Sequence, residues 1–208
     1  MVIEDVDTLL ARARGLIAGD RRSILGVAGP PGGGKSTLAH QVVAALGDAA
    51  ALVPMDGFHL SQSELVRLGR RDRMGAPDTF DAAGYAALLA RLRARGDDVV
   101  YAPEFRREIE EPFAGAIAIP RSVPLIVTEG NYLLVEAGDW ARVQPLLDEA
   151  WYVDMDEDTR LGWLIQRHID FGKTPDAARA WVLRSDQANA AVTAATRDRA
   201  DVIVRLAT

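Results

Sequence analysis

The stretch Ser23-Ile24-Leu25-Gly26-Val27-Ala28-Gly29-Pro30-Pro31-Gly32-Gly33-Gly34-Lys35-Ser36-Thr37 decides the fold. Its first six residues form a short apolar run that ends in Gly-Pro, the pattern of a buried strand. Residues 29–36 match G-x-x-x-x-G-K-[ST]. Glycines let backbone N–H groups turn inward around phosphate oxygens with no Cβ in the way. The helix expected after the loop places Leu38, Val42, Val43 and Leu46 inward, and its N-terminus adds a positive dipole end. In this motif Lys35 reaches the β- and γ-phosphates, and the Ser36 hydroxyl ligates Mg²⁺. Gly29, Pro30, Pro31, Gly32, Gly33, Gly34, Lys35, Ser36 and Thr37 are therefore the nucleotide-binding candidates. A strand before and an amphipathic helix after separate this motif from a flexible Gly-rich turn. The motif establishes a nucleoside triphosphate site, and kinase, ATPase and GTPase chemistry all share it.

Outward from the loop, the chain alternates. Upstream, residues near 4–18 carry Val6, Leu9, Leu10, Ala13, Leu16 and Ile17 on one helical face, and Gly19 closes the helix. Downstream, Ala51–Met55 reads as a second strand ending at Asp56, and 57–80 as a loop rich in arginine. A helix follows from an Asp81 N-cap, with Tyr85, Leu88, Leu89 and Leu92 at helical spacing. Val99–Tyr101 and Ala116–Ile119 suit a peripheral β-ribbon. Val123–Thr128, Ala150–Val153 and Val202–Val204 read as further strands, with helices over about 156–171 and 175–195. Strand–helix alternation predicts an α/β fold: three layers, a central parallel sheet and a small β-ribbon. One P-loop NTPase-type domain is expected over 1–208.

Composition narrows the function. The net charge of −6 and pI near 5.1 argue against nucleic acid as a partner, because duplex binders gather a basic excess. The absence of cysteine excludes disulfides, thiolate zinc sites and a thiol nucleophile. No apolar run approaches the roughly 18 residues of a membrane span, and Glu4, Asp5 and Asp7 have the wrong charge for a signal peptide. A cytoplasmic protein is expected. The basic residues comprise 22 Arg and only Lys35 and Lys173 as lysine, so the places where lysine persists are worth a question.

In a parallel sheet, ligands gather beyond the C-terminal strand ends. Asp56, Glu129 and Asp154 fall there. A carboxylate beside a phosphate loop is suited to hold an attacking hydroxyl in line and take its proton, although Asp56 also suits a helix cap. No D-x-x-G follows the loop, which argues against a GTPase switch.

Four segments together resemble one family: Gly29–Ser36, Met55-Asp56-Gly57-Phe58-His59, Pro77-Asp78-Thr79-Phe80-Asp81 and Glu129-Gly130-Asn131-Tyr132-Leu133-Leu134. The family is the P-loop kinases that include uridine kinase, bacterial pantothenate kinase and phosphoribulokinase. Within it the chain looks most like a bacterial nucleoside/nucleotide kinase-like subgroup, to which the name fructose transport system kinase is provisionally attached. The resemblance implies Asp56 as catalytic base and Glu129 at the metal or acceptor, with ATP and Mg²⁺ as cofactors and a small hydroxyl compound as partner. It places Tyr101-Ala102-Pro103-Glu104-Phe105-Arg106-Arg107 near the acceptor, and departs there from the Tyr-Asp-Phe and following His of uridine kinase. Asn189 is placed toward the adenine end by the subgroup resemblance alone.

The resemblance also implies an acceptor-site insertion about 57–120 and a helical lid about 156–185. The lid candidates are Arg160 and Arg167, seven apart on one helical face, and Lys173 in the turn 171–175. Arg160 and Lys173 each read equally as a phosphate ligand or a solvated charge; Arg167 reads as the residue that closes over the transfer. The catalytic set is thus Lys35, Asp56, Glu129 and Arg167. The substrate set is Asp56, Phe58, His59, Tyr101, Glu104, Arg106, Arg107 and Glu129, and the metal set is Ser36 and Glu129. His168, Trp163 and Trp181 read as packed residues; the Arg67–Arg73 cluster reads as an exposed loop face ahead of a site for an acidic substrate or product phosphate. Phe58, Tyr85, Tyr101, Phe105 and Phe113 are able to stack a nucleobase; His59, Glu104, Arg106 and Arg107 are equally able to hold a sugar or carboxylate. The expected activity is γ-phosphoryl transfer from ATP to a sugar hydroxyl, with nucleoside or pantothenate as alternatives and a switch NTPase behind them. A homodimer is the default oligomer, from frequency alone.

Overall fold

The chain opens with β1 (Val2–Ile3), α1 (Val6–Gly15), β2 (Ser23–Ala28), α2 (Lys35–Leu46), β3 (Ala50–Pro54), α3 (Gln62–Arg67) and α4 (Ala82–Ala94). It continues through β4 (Val99–Arg106), β5 (Glu111–Pro120), β6 (Leu125–Gly130), β7 (Glu149–Val153), α5 (Glu157–Asp170), α6 (Pro175–Trp181), α7 (Gln187–Ala194) and β8 (Val202–Val204). The computed structural model describes residues 1–19 and 21–205. Strands β1-β8-β7-β2-β6-β3 form one sheet in that order, and every pairing in it is parallel.

Every residue of β2, β6 and β7 is buried. Parallel strands covered on both faces need that apolar continuity. Alternate residues serve opposite cores. Leu25, Val27, Leu125, Val127 and Trp151 pack with Leu9 of α1 and with Leu38 and Val42 of α2. Ile24, Ile126 and Tyr152 pack with Tyr85 and Leu89 of α4. The three layers expected from the alternation are therefore present. Arg22, at the mouth of β2, is 1% exposed. Its guanidinium donates to the carbonyls of Val123, Leu92, Pro120 and Arg121, so a buried charge is neutralised by dipoles.

The structure departs from the sequence reading in five places. Helix α1 stops at Gly15, with Leu16 at its C-cap. Strand β1 was not expected; its two residues gain a partner only from β8. A short α3 stands inside the stretch read as loop, capped by the Ser61 hydroxyl. The ribbon β4–β5 extends well beyond its predicted core and carries a register shift between Ala102 and Glu104. The single helix expected over 175–195 is broken by a π-helical turn at Val182–Asp186. Among the described residues no helix is long and apolar enough to cross a membrane.

Candidate active site

Gly29, Gly32 and Gly34 take φ values of +149°, +76° and +85°, a region where a side chain is strained. At Gly33 a Cβ would lie 3.0 Å from the Pro30 carbonyl oxygen. Helix α2 starts from Gly34 with no side-chain cap, so its first amides stay available to an anion. Lys35 is 7% exposed, and its Nζ donates to the Pro30 carbonyl at 2.8 Å. Burial lowers its pKa to about 8, against the opposing pull of Glu129 and Asp56.

Strands β3 and β6 are neighbours, with Pro54 opposite Glu129. That pairing brings the two acidic strand ends together. Asp56 stands in a 3₁₀ turn, Met55–Phe58. A Cβ at Gly57 would lie 2.4 Å from the Pro103 carbonyl oxygen. A Cβ at Gly130 would lie 2.5 Å from the Met55 Cβ. Both glycines are thus required by close packing, and the turn is pressed between β6 and the ribbon. Arg107 donates to Asp56 Oδ2 at 2.9 Å. Burial pushes the Asp56 carboxyl up, but neighbouring positive groups outweigh it and leave it below its ordinary value. His59 contributes only when protonated, and burial lowers its pKa so that it is neutral near pH 7; Arg107 and Lys35 carry the effect there. Glu129 is raised, by burial and then by the Asp56 charge. Two carboxylates sharing one enclosure are pushed apart in this way. Ser36 Oγ donates to Glu129 Oε1 at 3.1 Å.

Helices α5, α6 and α7 bound the other side. Arg160 is 4% exposed; it donates to the Pro31 carbonyl at 3.1 Å and to Gln187 Oε1. It is not a solvated charge: these bonds tie α5 and α7 to the phosphate loop. Arg167 lines the cavity with Lys35, Asp56 and Glu129. Burial, then Arg107, lowers its pKa against the pull of Asp186, Asp56 and Glu129. Lys173 lies 5.2 Å from the Trp181 ring centroid, and both line the cavity. Trp181 is thus not core, as its helical position suggested. Trp163 is 50% exposed and is not core either. His168 Nε2 pairs with Asp186 Oδ2 at 2.9 Å, the hydrogen-bonded role read for it.

These groups share a cavity of about 310 Å³. Pro31, Gly32, Lys35 and Ser36 reach it from the loop, and Asp56, His59, Phe105, Arg107 and Glu129 from the acceptor side. Other expected residues lie elsewhere. Phe58 packs on Tyr85 at 5.1 Å and belongs to the core; Tyr85 itself is buried against Thr128. Tyr101 is 59% exposed on β4. Glu104 faces Arg106 at 4.0 Å, and Arg106 stacks on Phe113 at 4.2 Å, all on the ribbon. The alternation of β4 explains these misses: Phe105 points to the cavity, so Glu104 and Arg106 point away. Thr37 is exposed on α2 and lies outside the cavity lining. Asp154 is held by Arg197 and Arg205. Asn189, expected toward the adenine end, lines the cavity that holds Asp56. Arg67, Arg70 and Arg73 pair with Glu64 and Asp78, whereas Arg71 lines the cavity and pairs with Glu110. In the sequence Arg71 reads with its cluster as an exposed loop face, and Gly75 and Asp186 do not stand out as site residues; long-range packing brings all three to the cavity.

Ser36 and Glu129 supply two oxygens beside the loop, which suits Mg²⁺. That ion takes few protein ligands and fills its shell with water and phosphate oxygens. Among the described residues no cluster of three or more acidic or histidine groups could hold a metal.

Comparison with known proteins agrees with the geometry. The Phosphoribulokinase / Uridine kinase family matches residues 24–208. A Schizosaccharomyces pombe protein provisionally named a uridine kinase is 31% identical over 179 residues, 82% of this chain and 76% of that protein. Pantothenate kinase of Limosilactobacillus reuteri is 30% identical over 161 residues, 74% of this chain and 51% of that enzyme. A crystal structure from Silicibacter sp. TM1040, provisionally named a fructose transport system kinase, superposes with a TM-score of 0.85 at 34% identity. It covers 94% of this chain and 98% of that one. With the phosphate loop, the acceptor-side carboxylates and the matched family in agreement, the chain belongs to the Phosphoribulokinase / Uridine kinase family, the ATP-dependent kinases that phosphorylate hydroxyl acceptors.

Proposed function

We propose that this kinase phosphorylates a hydroxyl of a small sugar. The observation that carries the reading is the shared cavity of Lys35, Asp56, Glu129 and Arg167. Lys35 and the loop amides hold the triphosphate. Asp56, kept ionised by Arg107 and Lys35, orients the acceptor hydroxyl and takes its proton as oxygen bonds to the γ-phosphorus. The bond from that phosphorus to the bridging oxygen breaks, and ADP leaves with the electron pair. Arg167 meets the charge on the transferring group. Ser36 would hold Mg²⁺ directly and Glu129 through its hydration shell; when bound, the ion neutralises phosphate charge. The segment 57–120 serves as the acceptor-binding insertion and 156–185 as the lid.

The aromatic groups favour a sugar over a nucleoside. Of the five rings read from the sequence as able to stack a base, only Phe105 lines the cavity, and it already packs on His59 at 4.6 Å; Trp181, which also lines it, carries Lys173 over its ring at 5.2 Å. Phe80 occupies the histidine's other contact at 3.9 Å. The provisional name of the Silicibacter protein points the same way. A coupled ADP-release assay over D-fructose, other sugars, nucleosides and pantothenate tests the reading. Acceptor-dependent release with a sugar is expected. Release that never depends on an added hydroxyl compound would refute it.

A further inference from the structure

Most polar groups in the acceptor half of the cavity are already engaged. Arg107 pairs with Asp56 at 2.9 Å, Arg71 with Glu110 at 2.8 Å, and His168 with Asp186 at 2.9 Å. Two side chains there have polar atoms with no protein partner among the described residues. One is Asn189, which is 5% exposed and lines the cavity. Its Nδ2 lies 3.7 Å from where a Cβ would stand at Gly75. The other is His59. Its Nδ1 lies 2.8 Å from the Asp56 carbonyl oxygen. A carbonyl only accepts, so Nδ1 carries the proton, and Nε2 of the neutral ring is a bare acceptor. Burial holds this imidazole below the ordinary histidine value, which keeps it neutral near pH 7.

Neither group is sealed in the core. Among the described residues, the one enclosed side-chain polar atom lacking a partner is Arg199 Nε. The Asn189 amide and His59 Nε2 therefore open onto the cavity. Polar groups this deeply placed are costly unless a ligand or water completes their hydrogen bonds. Building on the kinase reading above, we propose that Asn189 and His59 determine acceptor specificity by reading a neutral polyhydroxyl compound. A hydroxyl donates to His59 Nε2, where a carboxylate or phosphate oxygen would meet a lone pair. The Asn189 amide both gives and accepts, matching a second hydroxyl. An anionic acceptor would need a free cation, and Arg71 and Arg107 are already matched by carboxylates. The three cavity cations without a carboxylate ion pair among the described residues are Lys35, Arg167 and Lys173; on the kinase reading, Lys35 from the loop and the other two from the lid serve the nucleotide phosphates.

The test uses the full chain, with D-fructose, D-glycerate and D-fructose 6-phosphate as probes. ADP release is measured for wild type, Asn189→Leu and His59→Phe, with calorimetric binding in the presence of a non-hydrolysable ATP analogue. The wild type should prefer D-fructose over both anionic probes. Each variant should raise the KM for D-fructose about tenfold or more, the loss expected for one hydrogen bond to a neutral group, while the KM for ATP stays within about twofold. A rise in the KM for ATP in Asn189→Leu, with the acceptor unaffected, would return Asn189 to the nucleotide and overturn the proposal. A wild-type preference for an anionic probe would overturn it and leave the kinase reading intact. That preference decides the matter even if a variant fails to fold. Release of ADP with none of the probes, nucleosides or sugars would overturn both.

Discussion

At the scale of single residues, the structure turns two charges into measurable behaviour. Asp56→Asn keeps the loop, the helices around it and the packing of the turn, but removes the proposed proton acceptor. Nucleotide affinity should persist while kcat falls about 10²–10⁴-fold, the usual size of general-base catalysis; near-normal turnover would refute the assignment. Lys35 has a pKa lowered to about 8 by burial. In the free enzyme it loses its proton as pH rises through that value, and a neutral amine attracts the triphosphate poorly. The KM for ATP should therefore climb above about pH 8, by up to tenfold per unit, while kcat changes less because bound phosphate restores the proton. Lysine persists at the loop because a compact ammonium fits beside the phosphates where a planar guanidinium does not. The second lysine, Lys173, stands over Trp181 in the same cavity. Much of this was legible in the sequence: Lys35, Ser36, Asp56 and Glu129 belong to short motifs fixed by local geometry. Arg160 was not, because its contact with Pro31 spans 129 residues. Glu104 and Arg106 were misplaced because the strand's alternation had no anchor until Phe105 was seen to face the cavity.

At the scale of elements, the site depends on two junctions. One is the turn after β3, pressed against the ribbon at Gly57. Gly57→Ala puts a Cβ 2.4 Å from the Pro103 carbonyl oxygen, and neither backbone yields cheaply. A loss of about 1–3 kcal/mol is expected, with kcat falling because Asp56 rides on that turn. Denaturant unfolding and steady-state rates on the same protein check both. The other junction is Arg160, which links α5 and α7 to the loop. Arg160→Ala leaves the Pro31 carbonyl without that donor and should cost about 1.5–3 kcal/mol, as for a charged hydrogen bond. It should raise the KM for ATP more than the KM for the acceptor; the reverse would place Arg160 on the acceptor side. The strands and helices around these junctions were legible because hydrophobic periodicity follows burial. The two-residue β1 and the π-helical turn were not. The first exists only through β8, and the second is a local rewinding inside an otherwise continuous helical pattern.

At the scale of the whole molecule, the sheet holds the site only while its outer connections hold the sheet, and Asp148 is the clearest of these. Its side chain is 6% exposed. It accepts from the Ile24 amide at 2.8 Å and from both Arg93 Nη atoms at 3.0 Å, and pairs with Arg21. One carboxylate thus joins the start of β2, helix α4 and the turn before β7. Burial pushes its pKa up, but the Ile24 amide, Arg93 and Arg21 outweigh it and hold the group below its ordinary value. The sign follows from proton counting. Between the folded and unfolded values the unfolded chain binds the extra proton, so stability is present above about pH 4 and drains away as pH falls. Asp154 and Asp78 are depressed in the same direction, so acid should unfold the protein through several carboxylates together. Asp148→Asn keeps an oxygen for the Ile24 amide and loses the charge that matches Arg93 and Arg21. At pH 7 it should cost about 2 kcal/mol, or roughly 4–8 °C in Tm for a domain of this size. As pH falls from about 4 through the lowered folded value of Asp148, wild type and variant should converge, because protonation then removes from the wild type the charge that the variant already lacks. A gap in Tm that stays constant from pH 7 to pH 3 would show that the carboxylate acts through shape rather than charge.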